Sequence, residues 1–345
     1  MTRSRLFFAA VLLTAAMGHS FAQKVGTTSL QFLKVMPNAR AAAMGEAYVS
    51  IVSGIDGVFW NPAAVAYVSG HEASITYIQW IFETSQNALA YGVSLGNWGS
   101  VAAQFQFTDV GTIKETRVER LGFVGTGAGT EYNPGLTGET FTPISWIVGV
   151  TYAKSLTDKF SSGLSVKYAY ESLWRDGTAK VVVDSVTHEF KTYASTFLFD
   201  FGMQYETGFR STKIGASVQN FGPQVQFARD RFAAPLHFRL GISSNILGLN
   251  ALFVEDPLNR VTFSYDILQP NDYNQQMHFG VEYEFGSLLA FRSGYKLNYD
   301  TDGWTFGGGV RTDLIGFLVG LDYSYADMGK DLGQVHRLSL GFNFP

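Results

Sequence analysis

Glu282 and Glu284 lie two residues apart, and Arg292 and Lys296 follow within the next dozen positions. On alternating strands these spacings put each pair on one polar face. If the two strands are neighbours around an enclosed space, carboxylates and cations meet there. The expected product is a salt-bridge network that stiffens the interior, preferred here over a path for transported solute. Other chemistry finds little footing. The six histidines, at 19, 71, 188, 237, 278 and 336, show no metal-ligand spacing. The run from Gly122 to Gly129 looks like a phosphate cradle, but it lacks the P-loop and dinucleotide spacings and reads as an external loop. No Gly-x-Ser-x-Gly elbow occurs, and no serine has an evident base partner. The chain is therefore read as a non-enzyme with no metal and no cofactor.

The elements that must hold the charged residues begin with an export signal. Arg3 and Arg5 precede an apolar run from Leu6 to Met17, and Ser20-Phe21-Ala22 supplies a small-residue exit. This predicts a signal peptide over 1–22, cleaved near Ala22, because the run is well short of the ~20 residues a spanning helix needs. With no cysteine, neither a lipid anchor nor a disulfide is available. The rest of the chain must be held by burial and backbone pairing.

Composition narrows the class. Charged residues are 16% of the chain and aromatics 15%, with 29 Phe, 17 Tyr and 37 Gly. So few charges would solvate a water-facing surface poorly, since soluble domains carry about 25%. No later stretch approaches 18 uninterrupted apolar residues, so an apolar exterior must be built without helical spans. The net charge of -4 argues against nucleic acid as a partner.

From about Glu72 onward the pattern has period two. Val261, Phe263, Tyr265 and Ile267 alternate with Arg260, Thr262, Ser264 and Asp266. Met277, Phe279, Val281, Tyr283 and Phe285 alternate with Gln276, His278, Gly280, Glu282 and Glu284 in the same way. Turn residues divide the chain into strands near 72–82, 86–96, 99–109, 144–154, 160–172, 193–206, 211–221, 236–247, 258–268, 275–286, 287–298, 302–312, 314–326 and 335–344. These lengths suit tilted strands crossing hydrocarbon. The polar face is rich in Gly, Ser, Gln and Ala with scattered charges, as in a crowded lumen. A soluble sandwich would show a denser Lys, Glu and Thr face. The prediction is an all-β fold, a transmembrane antiparallel β-barrel of about fourteen strands over 71–345, closed because an open edge in lipid leaves backbone groups unpaired. Tight turns alternate with longer connections at Val110–Pro143, Leu173–Thr192, Gly222–Pro235 and Asp327–Gln334, the expected outer side. Two connections break this parity: Glu83 to Ser85 is short, and Gly248 to Pro257 is long. Trp80, Trp98, Trp146, Trp174 and Trp304 fall near strand ends, where interfacial girdles form.

Residues 23–70 lack the strand rhythm and read as a helical or irregular plug. Asn61 can cap free N–H groups and Pro62 occupies a first helical position, so a short helix is expected over Pro62–Tyr67. This segment also carries a resemblance. Phe32-Leu33, Ala39-Arg40-Ala41, Met44-Gly45, Ala47-Tyr48 and Trp60-Asn61-Pro62-Ala63 resemble the opening of the PorV/PorQ family. Ser293-Gly294-Tyr295-Lys296 and Gly303-Trp304-Thr305-Phe306-Gly307 are similar to its closing strands. The resemblance implies a FadL-like barrel of fourteen strands with an N-terminal plug, in which Arg40, Gly45, Trp60, Asn61 and Pro62 form the plug motif. It also implies residence in the outer membrane of a Gram-negative-type bacterium, and possible partners among secreted cargo proteins and secretion-complex subunits. Outer-membrane lipid is the expected surrounding. Two functions follow: a non-enzymatic binding or assembly role in type IX-like secretion, or FadL-like passage of hydrophobic small molecules, which needs an apolar pocket and a gap in the wall.

Overall fold

The computed structural model describes residues 26–125, 130–174, 178–183, 186–314 and 316–344, so the expected signal peptide and Thr126–Gly129 lie outside the described residues. Fourteen antiparallel strands form a closed barrel in which neighbours in the wall follow chain order. Each matches an expected strand, from His71–Gln79 to Gln334–Phe344, with ends displaced by about three residues at most. The first strand, whose sequence alternation breaks between Tyr77 and Trp80, ends at Gln79. It pairs along its whole length with the last strand, from His71 opposite Phe344 to Gln79 opposite His336. That seam satisfies the backbone groups that lipid cannot.

Side chains obey the alternation. On the strand Gln276–Phe285, Gln276, His278, Glu282 and Glu284 are buried while Val281, Tyr283 and Phe285 are exposed. On Tyr193–Glu206, Phe197, Phe201, Met203 and Tyr205 face out and Asp200 and Gln204 face in. The exterior is thus apolar and ring-rich, as hydrocarbon requires. Near one end of the wall Trp146 stacks on Tyr170 and Tyr168 meets Phe197, an aromatic cluster across three neighbouring strands.

The two ends differ. One, the hairpin end, carries three two-stranded sheets, Ile113–Val124 with Glu131–Phe141, Thr178–Val183 with Val186–Lys191, and Val225–Phe227 with Asp230–Phe232. The connection expected as a plain loop over Val110–Pro143 is therefore largely a β-hairpin. The other, the terminal end, holds His71 and Phe344 and mostly tight turns. Both exceptions to loop parity stand: the first turn is short, and residues 248–258 form a long connection at the terminal end.

The N-terminal segment runs through the lumen as a plug. It starts at the hairpin end, where Thr28 bridges to Ala233 and Leu30 and Leu33 pack with Ile147, Ala169 and Leu198. It continues through helix Ala39–Ala43, a turn over Gly54–Asp56, helix Gly57–Trp60 and a 3-10 helix over Pro62–Tyr67, and enters the first strand at the terminal end. The wall makes room with small inward residues. Ala88, Ala90, Ala102 and Ala153 receive Tyr48, Val58, Phe59 and Trp60 in one apolar cluster. Elsewhere the backbones touch so closely that only glycine fits. A Cβ on Gly294 would fall 2.0 Å from the Gly45 nitrogen, and one on Gly215 would fall 2.3 Å from the Val49 oxygen. Gly45 itself has φ +62, a left-handed conformation, and lies against Tyr295 and Phe279 backbone atoms.

This packing predicts that Gly294→Ala leaves a heat-modifiable barrel but pushes the plug off its seat. Gly341→Ala, whose Cβ would meet nothing within 4 Å, should not. Limited proteolysis in lipid should cut the plug of the first variant and spare that of the second. Equal protection of both would mean that close backbone packing does not hold the plug.

Candidate functional site

The charged residues singled out from sequence converge on the plug. Asn38 begins the helix Ala39–Ala43, its side chain accepting from Ala41 N at 2.9 Å, and this aims Arg40 at the wall. Arg40 grips Glu282 with two hydrogen bonds, Nε to Oε2 at 2.8 Å and Nη2 to Oε1 at 2.6 Å. Arg292 stands opposite Glu282 in the strand register, donates to the same Oε2 at 2.6 Å and reaches Asp322 at 2.6 Å. Glu284 takes a different pair, Arg260 and Arg311. Planar guanidinium forks suit such shared carboxylates, and each buried charge here has a counter-charge in contact.

Lys296 does not join these carboxylates. Its Nζ pairs with Glu46 on the plug at 2.7 Å and with Asp302 at 3.1 Å. Glu46 is also approached by Arg239, which donates to its backbone oxygen at 3.0 Å and covers the Trp60 ring at 4.9 Å. Burial alone would raise the Glu46 carboxyl, but Lys296 and Arg239 beside it hold it well below the usual carboxylate range. Of the four predicted network residues, Glu282 and Lys296 thus meet the plug directly, at Arg40 and Glu46, while Arg292 and Glu284 pair mainly with wall residues.

The other motif residues fix the backbone. Asn61 accepts from Ala63 N at 3.2 Å as the expected cap, and its amide donates to Val49 O and Met203 O. Pro62 sits at the start of the 3-10 helix against Gly163 and Gly202. Trp60 is fully buried and donates to Pro37 O at 2.8 Å. Sequence reasoning did not single out Glu46, Arg239, Asp266 or Asp322. Asp266 accepts from Tyr48 N and Val49 N, both at 2.8 Å, so one wall carboxylate ties down two plug amides. Its place on a polar strand face was the available signal; the plug had no periodicity to point back. Among the described residues no group of three or more His, Cys, Asp or Glu side chains is arranged to hold a metal, and no helix is long and apolar enough to cross a membrane.

The sequence model described as type IX secretion system protein PorV matches residues 19–269, most of the chain. The chain belongs to the PorV family. No curated protein matches it. Among solved structures, the PorV-family chain is similar to the toluene transporter TbuX of Ralstonia pickettii, at 14% identity and TM-score 0.52, covering 89% of this chain and 98% of that one. It is similar to the P. putida toluene transporter TodX at 14% identity and TM-score 0.54, covering 89% and 96%. A FadL homologue of Pseudomonas aeruginosa matches at 10% identity and TM-score 0.51, over 90% and 99% of the two chains. At these identities the likeness is one of fold, a FadL-like outer-membrane barrel.

Two ion pairs provide a test of what holds the plug. Glu282→Gln strips the shared carboxylate from two buried guanidiniums and is expected to destabilise the protein by about 3–5 kcal/mol. Glu255→Gln, which breaks the exposed pair with Arg210 on the terminal-end turns, is expected to cost about 0–1 kcal/mol. Denaturant unfolding in lipid vesicles reads both, and similar costs would refute the anchoring role of the Arg40–Glu282–Arg292 group.

Proposed function

We propose that this protein is a non-enzymatic binding and assembly component of type IX-like protein secretion at the outer membrane. The observation carrying this reading is the match to the PorV family over residues 19–269. The lumen supports it. A passage for hydrophobic small molecules needs an apolar pocket, yet the space inside the wall is taken by a plug held through Arg40, Glu46, Asp266 and their partners. An apolar solute on that route would have to part buried ion pairs, leaving charges uncompensated.

In this reading the hairpin end faces outward, since longer connections of such barrels lie outside, and the terminal end faces the periplasm. Partners are secreted cargo or subunits of the secretion complex. The partner surface is the pair of connections Val110–Pro143 and Leu173–Thr192. The first exposes Val118, Phe123 and Tyr132 among Arg117, Glu119 and Arg120. Rings interspersed with arginine are the composition that protein interfaces favour.

Deleting the hairpin within Val110–Pro143, or that within Leu173–Thr192, should abolish capture of cargo or secretion subunits from native outer membranes. Heat-modifiable migration of each variant checks that the barrel survives. Capture that persists through both deletions removes these connections as the partner surface, and a pull-down from intact protein that yields no secretion component sinks the secretion role itself.

A further inference from the structure

Under the plug, at the terminal end, a cavity of about 340 Å³ remains between the plug turn and the first and last strands of the seam. It is opened by a glycine pair: Gly320 faces Gly341 across two neighbouring strands, and a Cβ on Gly341 would meet nothing within 4 Å. The volume lies within the range of small-molecule sites.

Its charges are divided by side. On one side stand Asp56 of the plug turn and Glu72 of the first strand. Glu72 accepts from Ile55 N, Ser69 N and Asn343, and Asp56 from Asn38, all neutral donors. Asp56 Oδ1 has no hydrogen-bond partner, and neither carboxylate forms an ion pair among the described residues. On the other side Arg40 and Arg311 line the cavity, with Asp322, whose carboxylate is taken by Arg292. They belong to a group in which four guanidiniums, those of Arg40, Arg260, Arg292 and Arg311, share three carboxylates, those of Glu282, Glu284 and Asp322. Arg311 holds its carboxylate through one nitrogen at 3.2 Å, its one ion pair among the described residues. Surplus positive and unneutralised negative charge therefore face each other across a gap that neither crosses. Close burial normally brings such groups into contact.

We propose that this cavity binds a small zwitterion of the α-amino acid or peptide-terminus class, its ammonium toward Asp56 and Glu72 and its carboxylate toward Arg311. A ligand with both charges at that separation neutralises both sides at once, and a singly charged ion neutralises only one. The site opens on the end away from the proposed partner surface and does not depend on the secretion role.

The test uses the full-length protein in lipid nanodiscs and saturation-transfer NMR, with glycine and diglycine as probes and acetate and ethylamine as controls. At least one zwitterion should bind saturably, with Kd on the order of a millimolar for two charge-assisted contacts, and each control about tenfold more weakly. Gly341→Leu, which occupies the space and removes no charged group, should abolish binding. D56N and R311Q should each weaken it by about tenfold. Tighter binding of diglycine than glycine would identify a peptide terminus, and the reverse a free amino acid. Absence of saturable binding by either zwitterion, equal binding of a control, or binding that survives Gly341→Leu in a heat-modifiable barrel overturns the proposal.

Discussion

A backbone amide or carbonyl in hydrocarbon must find its partner within the protein. The seam between His71–Gln79 and Gln334–Phe344 meets that demand for the whole sheet, since without it two full strand edges would face lipid. Closure then dictates the rest. An enclosed sheet has an inside, and alternation sends Gly, Ala, Ser and the charged residues into it while rings go out. The inside must be filled or flooded, and here residues 28–68 fill it.

The filling is asymmetric. Strands Ser85–Ser94, Ser100–Asp109 and Ile144–Thr157 offer alanines to the apolar side of the plug, around Tyr48, Phe59 and Trp60. Strands His237–Leu247 through Phe317–Asp327 offer Arg239, Asp266, Glu282, Arg292, Lys296 and Asp322 to its polar side. Apolar burial alone is non-directional. The bidentate grip of Arg40 on Glu282 and the two amides on Asp266 supply direction and so define one seating.

The barrel was legible in the sequence because its rule is local: the alternation in Val261 to Ile267 or Met277 to Phe285 needs no knowledge of distant residues. The cap at Asn61 and Pro62 was legible for the same reason. The plug contacts were not. Glu46 finds Lys296 and Tyr48 finds Asp266 across more than two hundred residues, and nothing in the plug's alanine-rich stretch marks which face turns where. The hairpin within Val110–Pro143 also escaped notice. Its register slips between Lys114 and Leu121, and with no core on either face its residues, such as Arg117, Val118 and Glu119, keep no clear alternation.

The bridge between Thr28 and Ala233 places the beginning of the described chain at the opposite end of the barrel from His71. A plug that fits its bore this closely is seated with least obstruction before the wall closes, with residues 28–68 lying in the groove of a still open sheet. The strands that follow wrap around them, and the final pairing of Gln334–Phe344 with His71–Gln79 shuts the vessel over its contents. Order is thereby written into the topology: the plug ahead of the first strand becomes the innermost part, and the last strand acts as the clasp.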